Sequence, residues 1–339
     1  MFRENLNRII RRIDLSDIQM SQMLSDILNG TIPDTQIAAF MAALATKGET
    51  FEELAGAAQA MRKHAVRIHC NAATVIDTCG TGGDGMNTFN ISTTTAFVVA
   101  GCGVTVAKHG NRSVSSKCGS ADVLEGLGVN LDTDPEIVEE AIEEIGIGFL
   151  FAPKYHGAMR FAAKARKESG IRSIFNMLGP LSNPAGANCQ LLGVYAPELT
   201  EMFAQALNKL GTRRAFVVHG HDGLDEISVC APTRISELNN GAIKTYDITP
   251  EEFFGESADS DDILGGDVND NVIITRNILS GKERGAKRNV VLLNSAAALV
   301  AAGKAETLKQ GIKEAEGAID SGKSMAKLVA LAEYTRKNG

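Results

Sequence analysis

The chain contains no tryptophan, and aromatic residues make up only 5% of its 339 positions. A platform of stacked aromatic side chains for single-stranded nucleic acid is therefore poorly supplied. Its six cysteines (Cys70, Cys79, Cys102, Cys118, Cys189 and Cys230) are scattered without a C-x-x-C pair, which disfavours a zinc knuckle or a disulfide framework. Cys79 and Cys118 are expected to pack rather than react. No apolar run reaches the roughly 18 residues that a membrane span needs. The opening MFRENLNRIIRRIDL lacks the apolar stretch of a secretory leader. A cytoplasmic protein with no membrane partner is expected. The net charge of −7 argues against a dedicated nucleic-acid binder. A further absence is local: no acidic residue stands between Asp84 and Asp122.

That window holds Lys108, His109, Arg112 and Lys117 among many hydroxyls and glycines. It is entered through D-T-C-G-T-G-G-D-G (77–85), continues through N-I-S-T (90–93), and closes with K-H-G-N-R-S-V-S-S-K-C-G-S-A-D (108–122). Glycines let a backbone approach a ligand closely, and N–H groups at a helix start suit an anion. A local positive field in an acidic chain reads as a polyphosphate site; two glycine-rich turns and a solvated basic loop are the plain alternative. The first glycine run has neither G-x-G-x-x-G spacing nor a Gly-Lys-Ser/Thr ending, so it is not a dinucleotide fingerprint or a Walker A loop.

Residues 1–70 read as helices only. Met20, Leu24, Ile27 and Leu28 form one apolar stripe, Ile37, Phe40, Met41 and Leu44 a second, and Phe51, Leu54, Ala58 and Met61 a third. Thr50 with Glu53 is a capping-box candidate. So few short helices must pack on the rest of the chain or on a second copy; Ala38, Ala39, Ala42 and Ala43 would permit close approach. From Thr74 strands and helices alternate, which predicts a mostly parallel sheet with helices on its faces. Strands are expected at 74–77, 104–107, 147–152, 191–196 and 215–220, with Lys108 opening the second loop. Residues 233–248 read as an antiparallel hairpin, 251–271 as an acidic surface excursion, and 290–302 as an apolar helix followed by two amphipathic ones.

Several side chains suggest chemistry. Asp225-Glu226 could hold Mg²⁺, since hard cations take oxygen ligands, or be a solvated pair on a loop. Ser92 could add a hydroxyl or cap a helix. Lys108 and Arg112 are natural phosphate partners, one a point charge and the other a fork. His109 could titrate near neutrality or simply donate to an acceptor. Arg166 could clamp a carboxylate, and Asn111 offers an amide.

These segments, together with N-M-L-G-P-L-x-N-P (176–184) and H-G-x-D-G-L-D-E (219–226), resemble the anthranilate phosphoribosyltransferase family over the full length. The resemblance implies transfer of a 5-phosphoribosyl group from phosphoribosyl pyrophosphate (PRPP) to the amine of anthranilate, in tryptophan biosynthesis. It implies Mg²⁺ and a homodimer through the helical domain. The fold implied is α/β, a small all-helical N-terminal domain hinged to a larger α/β domain. The helical domain would span 1–70, with about 155–183 packing back onto it, and the α/β domain 71–154 and 184–339. Carried over by motif, Gly80, Gly83, Asp84, Thr88, Asn90, Ile91, Ser92 and Thr93 would contact PRPP. So would Lys108, His109, Gly110, Asn111, Arg112, Ser113, Val114, Ser115, Ser116 and Ser120. Gly80, Asn111 and Arg166 would hold anthranilate; Ser92, Asp225 and Glu226 would hold the metal; Lys108, His109, Asn111 and Arg166 would serve catalysis. Two readings compete. A pyrimidine nucleoside phosphorylase would use inorganic phosphate, which the acidic pair argues against. A non-catalytic nucleic-acid binder would use the basic loops, against the net charge.

Overall fold

A computed structural model describes residues 1–113 and 117–339. Its first 63 residues are helical: α1 (Phe2–Ile10), α2 (Asp17–Leu28), α3 (Asp34–Lys47) and α4 (Phe51–Lys63). The capping box at Thr50 forms. Glu53 receives the Thr50 N–H at 3.0 Å and returns its own N–H to the Thr50 hydroxyl at 3.2 Å. The same buried carboxylate accepts the Leu15 N–H at 3.0 Å and the Lys47 ammonium at 2.9 Å, so one cap also ties α4 to the segment before α2.

Seven strands form one sheet in the order β3-β2-β1-β4-β5-β6-β7. They are β1 (Val75–Gly80), β2 (Thr105–Gly110), β3 (Ile147–Phe151), β4 (Cys189–Gly193), β5 (Arg214–Gly220), β6 (Thr233–Asn239) and β7 (Ala242–Ile248). The first five in that order pair in parallel; β5-β6 and β6-β7 are antiparallel. From β1 the chain builds outward to β2 and β3, then returns to place β4 on the other side of β1. The β1/β4 boundary is thus the point where strand order reverses, the crevice where open α/β sheets bind ligands. The buried helix α5 (Ile91–Gly101) follows β1 directly.

Three expectations need correction. Lys108 does not open a loop: β2 runs on to Gly110, because parallel pairing with β3 continues through Lys108↔Phe149, His109↔Leu150 and Gly110↔Phe151. The strand expected at 191–196 begins earlier, at Cys189, where its ladder with Ile76 and Arg214 starts. The acidic stretch 251–271 is not wholly a surface excursion. Leu264 bridges to Thr88, and Asn271 is buried in a helix, Val268–Leu279, that the sequence pattern did not reveal.

The two sheet faces feed two cores. On one, α5 and the helices Ala286–Ala301, Leu308–Asp320 and Lys323–Asn338 bury a large aliphatic cluster. On the other, apolar residues of α1–α4 share a continuous cluster with Phe203 and Leu207 of the helix Leu199–Lys209 and with Leu192 and Val217 of the sheet. Ala162, Ala165, Phe175 and Leu181 join that second cluster, so the connection after β3 packs onto the helical region. Among the described residues no helix is long and apolar enough to cross a membrane.

Candidate active site

The crevice between β1 and β4 ends on two paired glycines, Gly80 and Gly193. Their missing side chains make room for Asp225. A Cβ on Gly193 would lie 1.5 Å from the Asp225 carbonyl oxygen, and one on Gly80 2.3 Å from its carboxylate. Asp225 accepts the Gly82 N–H at 2.7 Å, which binds it to the glycine loop. Its own N–H faces Asp84 Oδ2 at 3.5 Å. The loop's far side is fixed by Asn294, a fully buried residue of the helix Ala286–Ala301, whose amide takes the Ile227 N–H at 3.0 Å and donates to the Ile227 carbonyl at 2.9 Å. Asp222 braces the same turn by accepting the Ser228 hydroxyl at 2.6 Å.

The reading of Asp225-Glu226 as a solvated surface pair does not hold: Glu226 is buried and Asp225 half-buried. Burial pushes the Glu226 carboxyl up to about 7, with Asp84 adding to the rise and Lys108 and hydrogen bonding from Ser92 opposing it. Asp225 is raised well above the usual range, first by burial and then by the charges of Asp84 and Glu226. Glu226 Oε2 is buried with no hydrogen-bond partner. A crowded, desolvated acid pair with an unpartnered oxygen suits a hard cation.

Ser92 is not the cap of α5; Asn90 is, without a side-chain cap bond, and Ser92 lies one position inside Ile91. Asn90 instead donates from its amide to the Cys118 carbonyl at 3.2 Å, and its backbone N–H goes to Asn271 at 3.1 Å. Ile91 and Thr93 are buried. Lys108 is buried beneath the site, its ammonium donating to the Thr78 carbonyl and lying 3.5 Å from the Ser92 hydroxyl. It therefore reaches the acid pair's side of the crevice from below. Asp77, also buried, accepts the His109 N–H at 3.1 Å and the Asn183 amide at 2.8 Å, locking β2 to the 176–184 connection.

His109 donates from Nδ1 to the Gly179 carbonyl at 3.2 Å, since a carbonyl only accepts; its buried Nε2 has no partner. Burial, and then the neighbouring His156 ring, hold the imidazole down to about 3. The donor alternative is thus the one the structure supports. We expect His109→Gln and the parent to give pH–rate profiles of the same shape between about pH 5 and 9. A limb near pH 6.5 that vanishes in the variant would show instead that the ring titrates in turnover.

Arg112 does not stand free. Asp122 and Glu125 take its guanidinium at 2.9 Å each, and it lies 5.7 Å over the Phe151 ring. Asp122 also accepts the Ser113 and Gly119 N–H groups at 3.1 and 2.9 Å. Asn111 is exposed, its carbonyl accepting from the Ser120 hydroxyl at 3.1 Å, and Gly110 packs against that hydroxyl. Val114, Ser115 and Ser116 lie outside the described residues. Arg166, on the helix Arg160–Ser169, is half-buried 5.5 Å over the Phe175 ring, its guanidinium making no hydrogen bond or ion pair among the described residues, and burial lowers its pKa. Thr88 sits at the bridge to Leu264, and the Gly83 carbonyl accepts from Arg172 at 3.0 Å.

Two family models divide the chain as its architecture does. "Glycosyl transferase family, helical bundle domain" matches residues 3–65, and "Glycosyl transferase family, a/b domain" matches residues 72–325. The anthranilate phosphoribosyltransferase of Desulfosudis oleivorans is 68% identical over 339 residues, all of both chains. The chain belongs to the anthranilate phosphoribosyltransferase family. A family member from Thermus thermophilus superposes with a TM-score of 0.93 at 40% identity, covering 98% of this chain and 99% of that one. The Saccharomyces cerevisiae family member, 29% identical and covering 95% of this chain and 94% of its own, matches in a complex with PRPP and Mg (TM-score 0.88). It matches again in a complex with 4-fluoroanthranilate at a TM-score of 0.86. The family's fold, a helical bundle joined to an α/β domain with a mostly parallel sheet, is the fold described above.

Asn294 and Arg172 escaped the sequence reading. The first had a signal, a lone amide inside the apolar run 290–302; the second had none.

Proposed function

We propose that this chain transfers the 5-phosphoribosyl group of PRPP to the amine of anthranilate, releasing pyrophosphate, in tryptophan biosynthesis. The observation that carries this reading is the Asp225-Glu226 pair, Glu226 buried and Asp225 half-buried, placed against the glycine loop at the β1/β4 crevice. PRPP would lie along Gly80, Gly83, Asp84, Thr88, 90–93, 108–113 and Ser120. Anthranilate would be held by Gly80, Asn111 and Arg166. Ser92, Asp225 and Glu226 would hold Mg²⁺, supported by the unpartnered Glu226 oxygen. Among the described residues no three His, Cys, Asp or Glu side chains form a ready cage, so substrate oxygens and water would complete the shell. An ion there would neutralise charge gathering on the departing pyrophosphate.

The protein's own residues then need little acid–base chemistry. An aromatic amine is neutral at pH 7 and already nucleophilic, so positioning and charge placement can carry the reaction. A neutral His109 agrees with that. A homodimer through the helical region belongs to this reading, supported by Ile10 and Ile18 standing exposed there, as does a cytoplasmic location.

The test is loss of anthranilate fluorescence on adding PRPP, with and without Mg²⁺. Metal-dependent loss is expected in the parent. In Arg166→Ala the KM for anthranilate is expected to rise at least about tenfold, the scale of one charge-assisted pair. No loss under any condition, from folded protein, would overturn the assignment.

A further inference from the structure

The glycine loop is gripped from two sides. On one, Asp225 accepts the Gly82 N–H at 2.7 Å. On the other, Arg172 donates from Nη2 to the Gly83 carbonyl at 3.0 Å. Arg172 does not belong to the sheet. It sits between the helix Arg160–Ser169, which carries Arg166, and the turn Ile174–Asn176, whose Ile174 and Phe175 are buried with α1–α4. Its guanidinium lies 4.0 Å over the ring of Tyr195, just beyond β4. The Tyr195 N–H donates to the Thr81 hydroxyl at 3.1 Å, and the Thr81 N–H to the Gly193 carbonyl at 2.9 Å. One planar cation therefore touches the loop at Gly83 directly and at Thr81 through Tyr195. A Cβ at position 83 would lie 2.6 Å from Nη2, so the contact is close on both partners.

We propose that Arg172 is a positioning residue that latches the glycine loop to the helical side of the cleft, fixing the loop backbone for the diphosphate of PRPP. The inference rests on the transferase reading above. A guanidinium suits the task because its fork donates to the carbonyl while its flat face stacks on the ring. With the latch intact the loop N–H groups are held before the substrate arrives; without it, binding must supply that ordering. The cost should fall on PRPP, whose phosphates meet the loop, and spare anthranilate, which Arg166 would hold from its own helix.

Arg172→Ala, Arg172→Lys and Tyr195→Leu would be compared with the parent by steady-state kinetics in both substrates, by calorimetric titration of PRPP with Mg²⁺ in the absence of anthranilate, and by thermal melting. In Arg172→Ala the KM and the Kd for PRPP are expected to rise together about tenfold, the loss of one charge-assisted hydrogen bond. The kcat, the anthranilate KM and the melting midpoint are expected to stay close to the parent's. Arg172→Lys, which keeps a donor but loses the stack, and Tyr195→Leu should fall between. PRPP parameters within twofold of the parent in Arg172→Ala would overturn the latch. So would a drop in melting midpoint with PRPP binding unchanged. A parent that consumes no anthranilate with PRPP would overturn the transferase reading, and the latch with it; an active parent with an unaffected variant would remove the latch alone.

Discussion

Glu226→Gln is expected to lower kcat/KM for PRPP by at least about a hundredfold, the usual scale for removing a group that stabilises developing charge. The same change should make the ligand-free protein more heat-resistant at pH 8. The two effects have one origin. Glu226 is buried beside Asp225 and Asp84, and its carboxyl is raised to about 7. A carboxyl whose folded pKa exceeds its unfolded value favours the folded state while protonated. Its contribution is fully present below the unfolded pKa and is lost as pH rises through about 7. At pH 8 the ligand-free protein therefore holds crowded buried negative charge, and a neutral amide of the same shape relieves it. Melting curves at pH 5.5 and pH 8 without metal would show the parent weakened at the higher pH. The variant should gain a few degrees there and little at the lower one. Equal melting of parent and variant at both values, with activity retained, would remove Glu226 from the site.

Much of this arrangement was legible in the residues, and the reasons for the remainder are specific. The stripes of α2, α3 and α4 and the Thr50 capping box are local, so spacing alone located them. The hairpin around Asn240-Gly241 is local too. Alternation along 74–220 implied a parallel sheet, but not that β1 would sit between β2 and β4, which is what makes the crevice. The acid-free window after Asp84 showed where cations gather. It hid the fact that Asp122 and Glu125 fold back onto Arg112. Lys108 looked like a loop cation because its neighbours are glycine and polar residues; its burial follows from β3, a strand nearly forty positions later in the chain. Asp225-Glu226 looked solvated for the same reason. Their placement depends on Asn294, which holds the neighbouring Ile227 from a helix nearly seventy positions later, and on two distant glycines. Short-range signals reveal which groups are present, while the protonation and pairing of those groups are set by contacts made across the fold.

Gly193→Ala carries the second large expectation, and its partner in the ladder supplies the control. Position 193 lies within β4, paired with Gly80 and hydrogen-bonded on both sides, so the strand cannot shift alone. A methyl there would meet the Asp225 carbonyl oxygen at 1.5 Å and its carbon at 2.4 Å, both backbone atoms with no rotamer to escape through. Either β4 leaves the sheet or the 221–226 turn leaves the crevice. The expected result is a destabilisation of about 3 kcal/mol, the upper end of the usual range for overpacking, with loss of Mg²⁺-dependent activity in whatever folds. Gly80→Ala differs in kind. Its methyl would meet the Asp225 carboxylate at 2.3 Å, and a side chain can swing aside. That variant should fold close to normally, yet lose the Gly82–Asp225 contact and with it most of the metal response. Thermal melting and a Mg²⁺ titration of activity separate the two. A Gly193→Ala protein with parental melting and parental activity would mean that the Asp225 turn does not occupy the space opened by these glycines. The acid pair would then have to be sought elsewhere in the crevice. The opposite result, with one glycine costing the fold and the other only the metal response, would tie the two bare positions of β1 and β4 to the placement of a single carboxylate.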